Sequence, residues 1–111
     1  MQHATSRRSF RLAEQVMREL SLILAEEVAD PRLTGVAVTG ARLNADLSVA
    51  EVLFTLPGGP EKAPEALRAF AKARGFLRTL VGQRIKMKFV PELRFIYDEF
   101  VEEMVYARPA E

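Results

Sequence analysis

Pro64 to Arg84 reads PEALRAFAKARGFLRTLVGQR, and the glycine near its centre decides how the chain is to be folded. Leu67, Phe70 and Ala71 recur at helical spacing before it, and Leu77, Leu80 and Val81 after it. A glycine inside a helix costs roughly 1 kcal/mol relative to Ala, and in return permits a close backbone approach or a sharp bend. The reading is therefore two short helices joined by a kink at Ala73-Arg74-Gly75. Arg68, Lys72, Arg74, Arg78, Arg84, Lys86 and Lys88 surround that bend. Cations gathered at the start of a second helix, where free amides and the positive dipole end also lie, favour phosphate.

Upstream, Leu12, Val16, Met17, Leu20, Ile23, Leu24 and Val28 recur three and four apart, predicting an amphipathic helix from Ser9 to about Val28 that Asp30-Pro31 stops. Val36 to Leu43 and Leu47 to Leu56 alternate like strands across the turn Asn44-Ala45-Asp46, so they pair antiparallel. Ala50, Val52 and Phe54 fall on one face of the second strand and Glu51 and Thr55 on the other. Pro57-Gly58-Gly59-Pro60 is a loop. Downstream of the helix pair, Ile85 to Phe89 and Leu93 to Tyr97 form a third strand interrupted at Val90-Pro91-Glu92, because proline cannot donate to a ladder. That strand must join an edge of the hairpin. The fold class is α+β, in the order α-β-β-α-kink-α-β, with helices covering one face of a three-stranded sheet.

The chain has 111 residues, the size of one domain: an arm over 1–6, a folded unit over 7–98 and an acidic tail over 99–111. With no cysteine, disulfides, thiol nucleophiles and Cys-ligated metals are excluded, and one histidine, His3, cannot build a multi-His metal site or a base on an ordered element. No cofactor or metal is expected. No apolar run reaches the roughly 18 residues of a membrane span, and the first residues lack a signal-peptide pattern, so the expected address is cytoplasmic with no membrane contact. The net charge of +1 hides an uneven distribution: residues 61–94 carry nine basic side chains against three acidic, and residues 95–111 one against five. The basic block fits a polyanion; a solvated, Arg-rich helix face is the plainer alternative.

The helix and strand order is that of a type II KH domain, and the residues narrow it. Asp30-Pro31-Arg32-Leu33, Asp46-Leu47-Ser48-Val49-Ala50, Ala73-Arg74-Gly75-Phe76-Leu77-Arg78 and Val90-Pro91-Glu92-Leu93-Arg94-Phe95, followed by Asp98, together resemble the bacterial ribosome-binding factor A family over roughly Arg7 to Asp98. The Gly-x-x-Gly phosphate clamp of an ordinary KH domain is missing. Ala73-Arg74-Gly75 stands in its place, as in the family, and side-chain cations take over more of the binding. The resemblance implies a non-enzymatic factor that binds the free small (30S) ribosomal subunit, assists late assembly and 16S rRNA maturation, and matters in the cold. Its implied partners are the small subunit, 16S rRNA and assembly GTPases, and a monomer is expected.

The residues expected to meet rRNA phosphates are Arg68, Lys72, Ala73, Arg74, Gly75, Arg78, Arg84, Lys86 and Lys88, supplemented by Arg7, Arg8 and Arg11. Cations at a helix start oppose the dipole, so the N-terminal group hints at an external anion. Phe76, Phe89, Phe95 and Tyr97 read as core side chains more than as stacking surfaces. Asp98 and Glu99, adjacent on an extended chain, point apart and suit a cap or turn rather than acid/base chemistry. The competing functions are a generic single-stranded nucleic-acid module, a small phosphate-ester hydrolase using an Arg-rich anion site, and a protein-interaction module built on the amphipathic helix. No P-loop or positioned carboxylate pair supports the hydrolase.

Overall fold

Ser6 starts the first helix: its Oγ accepts from the Ser9 N–H at 3.2 Å, and Ser9 Oγ donates to the Ser6 carbonyl at 2.7 Å. The computed structural model describes residues 6–100, so His3, nearly all of the arm and the tail from residue 101 lie outside the described residues. Helix α1 spans Arg7–Glu26 and buries Val16, Leu20 and Ile23 on the face its periodicity marks. It ends short of Val28, and Asp30 caps a single 3-10 turn, Pro31–Leu33, accepting from the Arg32 N–H at 2.9 Å and from its guanidinium at 2.7 and 3.1 Å. The Arg32 side chain first, and its backbone N–H second, hold the Asp30 carboxyl down to about 2.

Strands β1 (Ala37–Leu43) and β2 (Val49–Thr55) form the expected antiparallel hairpin, with Leu43 opposite Ala50 and Ala41 opposite Val52. Asn44 closes its turn by accepting from the Val49 N–H at 2.9 Å. The register slips between Val38 and Gly40, a bulge at Thr39. Strand β3 (Glu92–Tyr97) returns to the free side of β2 and runs parallel to it, giving a mixed sheet of order β1-β2-β3. Parallel partners share a face, so Ala50 with Leu93, Val52 with Phe95 and Phe54 with Tyr97 all turn toward the helices. Asp98 then locks the end of β3: its N–H donates to the Phe54 carbonyl at 2.7 Å, and its carboxylate accepts from the Thr39 hydroxyl at 2.6 Å. The turn role expected of Asp98 thus becomes a tie across the whole sheet.

The kinked helix pair is corrected. Helix α2 runs unbroken over Ala63–Ile85, and Gly75 has no positive φ, while a Cβ there would meet nothing within 4 Å beyond its chain neighbours and its own helix backbone. The physical reason is phase: Ala66, Phe70, Ala73, Leu77 and Val81 follow one another four and three apart, so an uninterrupted helix keeps all of them against the core. A break at Gly75 would reset that phase and take Leu77 and Val81 off the line set by Ala66, Phe70 and Ala73. No second helix N-terminus opens in mid-segment. Continuity also puts Phe76 about one residue's rotation off the buried line, 51% exposed, against the expectation of core packing. Replacing Gly75 with Ala is accordingly expected to raise stability by about 1 kcal/mol, a rise in Tm of roughly 4–8 °C by thermal melting; an unchanged or lower Tm would contradict a straight helix here.

The third strand is also shorter than expected. Lys86 takes a left-handed φ of 60° and closes α2, with the Met87 N–H donating to the Gly82 carbonyl at 3.2 Å, and residues 87–91 are irregular. Ile85 to Phe89 therefore forms no strand, and Phe89 leaves the core. The glycine of α2 that the packing does require is Gly82, where a Cβ would lie 2.5 Å from Val90 Cγ2. Its bare backbone lets the returning chain settle on the helix.

Phe54 and Phe70 meet edge to face at 4.9 Å at the centre of the core, Phe54 meets Tyr97 similarly at 5.8 Å, and Phe70 stacks on Phe95 at 3.9 Å. The core expectation for Phe95 and Tyr97 therefore holds. The open face of the sheet carries the cross-strand pair Arg42–Glu51 at 3.2 Å.

Candidate nucleic-acid interface

The N-terminal turns of α1, the β1–β2 turn and the irregular segment after α2 enclose an open groove of about 820 Å³. Arg7, Arg8, Arg11, Lys86 and Lys88 line it, together with apolar surface from Leu12, Leu47, Ile85, Met87 and Phe89. Two clusters far apart in sequence thereby become one. Among the described residues Asp46 is the only carboxylate lining it, and that group already accepts from the Ser48 hydroxyl and, at 3.1 Å, from the Ser48 N–H. Those bonds, the hydroxyl's foremost, push its pKa down and keep it an occupied anion. No ion pair among the described residues holds any of the five cations.

Their placement is unfavourable for the isolated fold. The first turn of α1 contains no acidic residue and opens with Arg7 and Arg8, cations beside the positive end of the dipole. Each sacrifices on the order of 0.3–1 kcal/mol there. An external polyanion would reverse the sign of that contribution.

The remaining cations divide. Lys88 also lines a smaller cleft of about 350 Å³ with Arg78, Thr79, Phe89 and Val90, which carries the basic surface onto α2. Arg78 is anchored there, its guanidinium donating to the Val90 carbonyl at 2.8 and 3.2 Å. One turn earlier Arg74 borders a cleft of about 240 Å³ with Arg94, Leu67 and Phe95 against the edge strand. Arg84 is turned inward to the helix seam and pairs with Glu27 at 3.4 Å and Glu19 at 3.7 Å. Arg68 and Lys72 lie on the outer face of α2, Lys72 close enough to Asp30 to help lower its pKa after the Arg32 bonds. Gly75 sits on that same outer face, while Ala73 is half-buried against the core.

Sequence reasoning centres the site on Gly75; the structure gathers five cations, none held by an ion pair among the described residues, at the C-terminal end of α2. Phe89 and Arg94 fall outside the expected contact set. The signal for Phe89 is its position before Val90-Pro91, where a missing N–H ends any ladder and leaves the preceding side chain without a sheet face to fill. Among the described residues no group of His, Cys, Asp or Glu could hold a metal ion, and no helix is long and apolar enough to cross a membrane.

Comparison with known proteins matches this geometry to one family. The sequence model described as Ribosome-binding factor A fits residues 8–108. Ribosome-binding factor A of Nitrosomonas eutropha is 38% identical over 95 residues, covering 86% of this chain and 81% of the relative. The crystal structure of ribosome-binding factor A from Thermus thermophilus superposes with a TM-score of 0.68 at 33% identity, covering 80% of this chain and 94% of that one. A Thermus thermophilus RbfA homology model, fitted into the cryo-EM map of a 30S–RbfA complex, aligns with a TM-score of 0.62 at 26% identity over 96% of this chain and all of the other. With its hairpin, its long crossover helix and its parallel third strand all shared with solved members, and nearly its whole length matched, the chain belongs to the ribosome-binding factor A family.

Proposed function

We propose that this protein binds the free small ribosomal subunit and assists its late assembly, including maturation of 16S rRNA, by occupancy and without chemistry of its own. The observation that carries the reading is family membership together with a neighbour of the same fold seated in a 30S complex. The groove supports it in physical terms: five cations that no ion pair among the described residues holds, converging from two ends of the chain, suit the sugar-phosphate backbone of folded RNA. In this reading Arg78, Arg74 and Arg94 extend the contact along α2, Arg68 and Lys72 supplement it from the outer face, and Arg84 serves mainly to join the helices. The protein acts as a monomer, and an assembly GTPase is the class of partner that would help it leave.

Co-sedimentation with isolated small subunits tests this. If the five groove cations meet phosphates, log K is expected to fall against log salt with a slope of about −3.5 to −4.5. A generic single-stranded module would be titrated away by free RNA competitor at the same salt, whereas a ribosome-binding factor keeps its preference for the subunit. No binding at low salt, or binding without salt dependence, would refute the reading.

A further inference from the structure

Phe89 is 79% exposed, more than any other large apolar side chain among the described residues. Its neighbours are fixed: Pro91 is fully buried, Val90 packs over Gly82 with its carbonyl held by Arg78, and Lys86 is turned by its left-handed backbone. The segment is thus anchored on both sides while the ring projects outward. It borders the cationic groove, and the Lys88 ammonium stands 5.6 Å from its centroid. Leaving such a ring in water forgoes about 1.5–3 kcal/mol of burial, which the fold does not recover.

We propose that Phe89 is a stacking platform for an unpaired base of bound RNA, with Lys86, Lys88 and the α1 arginines taking the phosphates on either side of that nucleotide. The proposal rests on the RNA-binding reading above and adds to it a preference for unpaired nucleotides. Charge decides the class of ligand: a flat apolar face framed by cations that no ion pair among the described residues holds matches a polyanion that carries aromatic rings, whereas an apolar protein surface would leave those charges unmatched. A base enclosed in a duplex offers no free face to the ring. An unpaired one does, and because every base has a π-face the platform tolerates any sequence.

The chain contains no tryptophan, so Phe89→Trp supplies a single reporter. Its emission is expected to be quenched on titration with a short single-stranded RNA. Phe89→Ala is expected to bind that strand about 5- to 150-fold more weakly, with the wild-type salt slope, while affinity for a fully paired duplex of the same sequence changes by less than about twofold. Since the ring is exposed, Tm serves as the check that the variants are folded. Unquenched emission at saturation, wild-type affinity in Phe89→Ala, or an equal loss on strand and duplex would each overturn the proposal. So would a variant that loses the small subunit yet binds single-stranded RNA normally, since the ring's partner would then be a protein. Wild-type protein that ignores small subunits overturns the ribosomal reading alone; the stacking role is decided by the single-strand titration.

Discussion

Changing Arg8, Arg11 and Lys88 to Glu together is expected to weaken small-subunit binding on the order of a thousandfold without lowering Tm. Each contact to a charged phosphate contributes about 1.5–3 kcal/mol net, and three lost at the lower value give about 4.5 kcal/mol, or roughly three powers of ten. The carboxylates would add repulsion to that loss. Stability moves the other way, because none of the three cations is held by an ion pair within the described fold and Glu at Arg8 sits favourably at the start of α1. Sedimentation binding at fixed salt, paired with thermal melting, separates the two effects. Retained affinity would remove the groove from the interface; a fall in both quantities would show that these side chains support the fold.

The second large effect is expected in the core. Phe54→Ala should destabilise the protein by about 3–5 kcal/mol, against a total stability of about 5–15 kcal/mol for a domain of this kind. Phe54 is fully buried, contacts both Phe70 and Tyr97, and lies on the central strand between Val38 and Tyr97. Truncating it leaves a cavity where helix and sheet meet. Phe76→Ala is the matched control, expected to shift stability by no more than about 0.5 kcal/mol because its ring is half in water. Urea midpoints distinguish them, and comparable losses would mean that α2 is not in the phase described.

Those two phenylalanines show where local reading succeeds and where it fails. Phe54 belongs to a period-two alternation bounded by a short turn, so its inward direction is legible from Ala50, Val52 and Phe54 alone. Local reading favours the core over a stacking role for Phe76, the apolar residue directly after Gly75. The burial gained by keeping Phe70, Ala73, Leu77 and Val81 on one line outweighs the roughly 1 kcal/mol that the glycine costs, and the helix passes straight through. Gly82 gives no local sign of its importance, since the side chain it makes room for, Val90, arrives from the returning chain.

The candidate site divides in the same manner. Arg-rich composition between residues 61 and 94 suits an anionic partner, and the motifs mark the family. Composition cannot say which cations remain available. Arg84 and Arg78 look alike in sequence to Lys86 and Lys88, yet Arg84 is engaged by Glu19 and Glu27 and Arg78 by the Val90 carbonyl.

By itself the sequence determined the α+β class, the hairpin, the inward faces of α1 and β2, and the family, because each of these rests on spacing within a few residues or on short motifs in order. Tertiary structure alone decided that α2 is one helix, that β3 lies parallel beside β2, and that Arg7, Arg8 and Arg11 share a groove with Lys86 and Lys88. The reason is physical: burial energy and charge partnership depend on which distant segments meet, and that is settled only when the chain closes on its core.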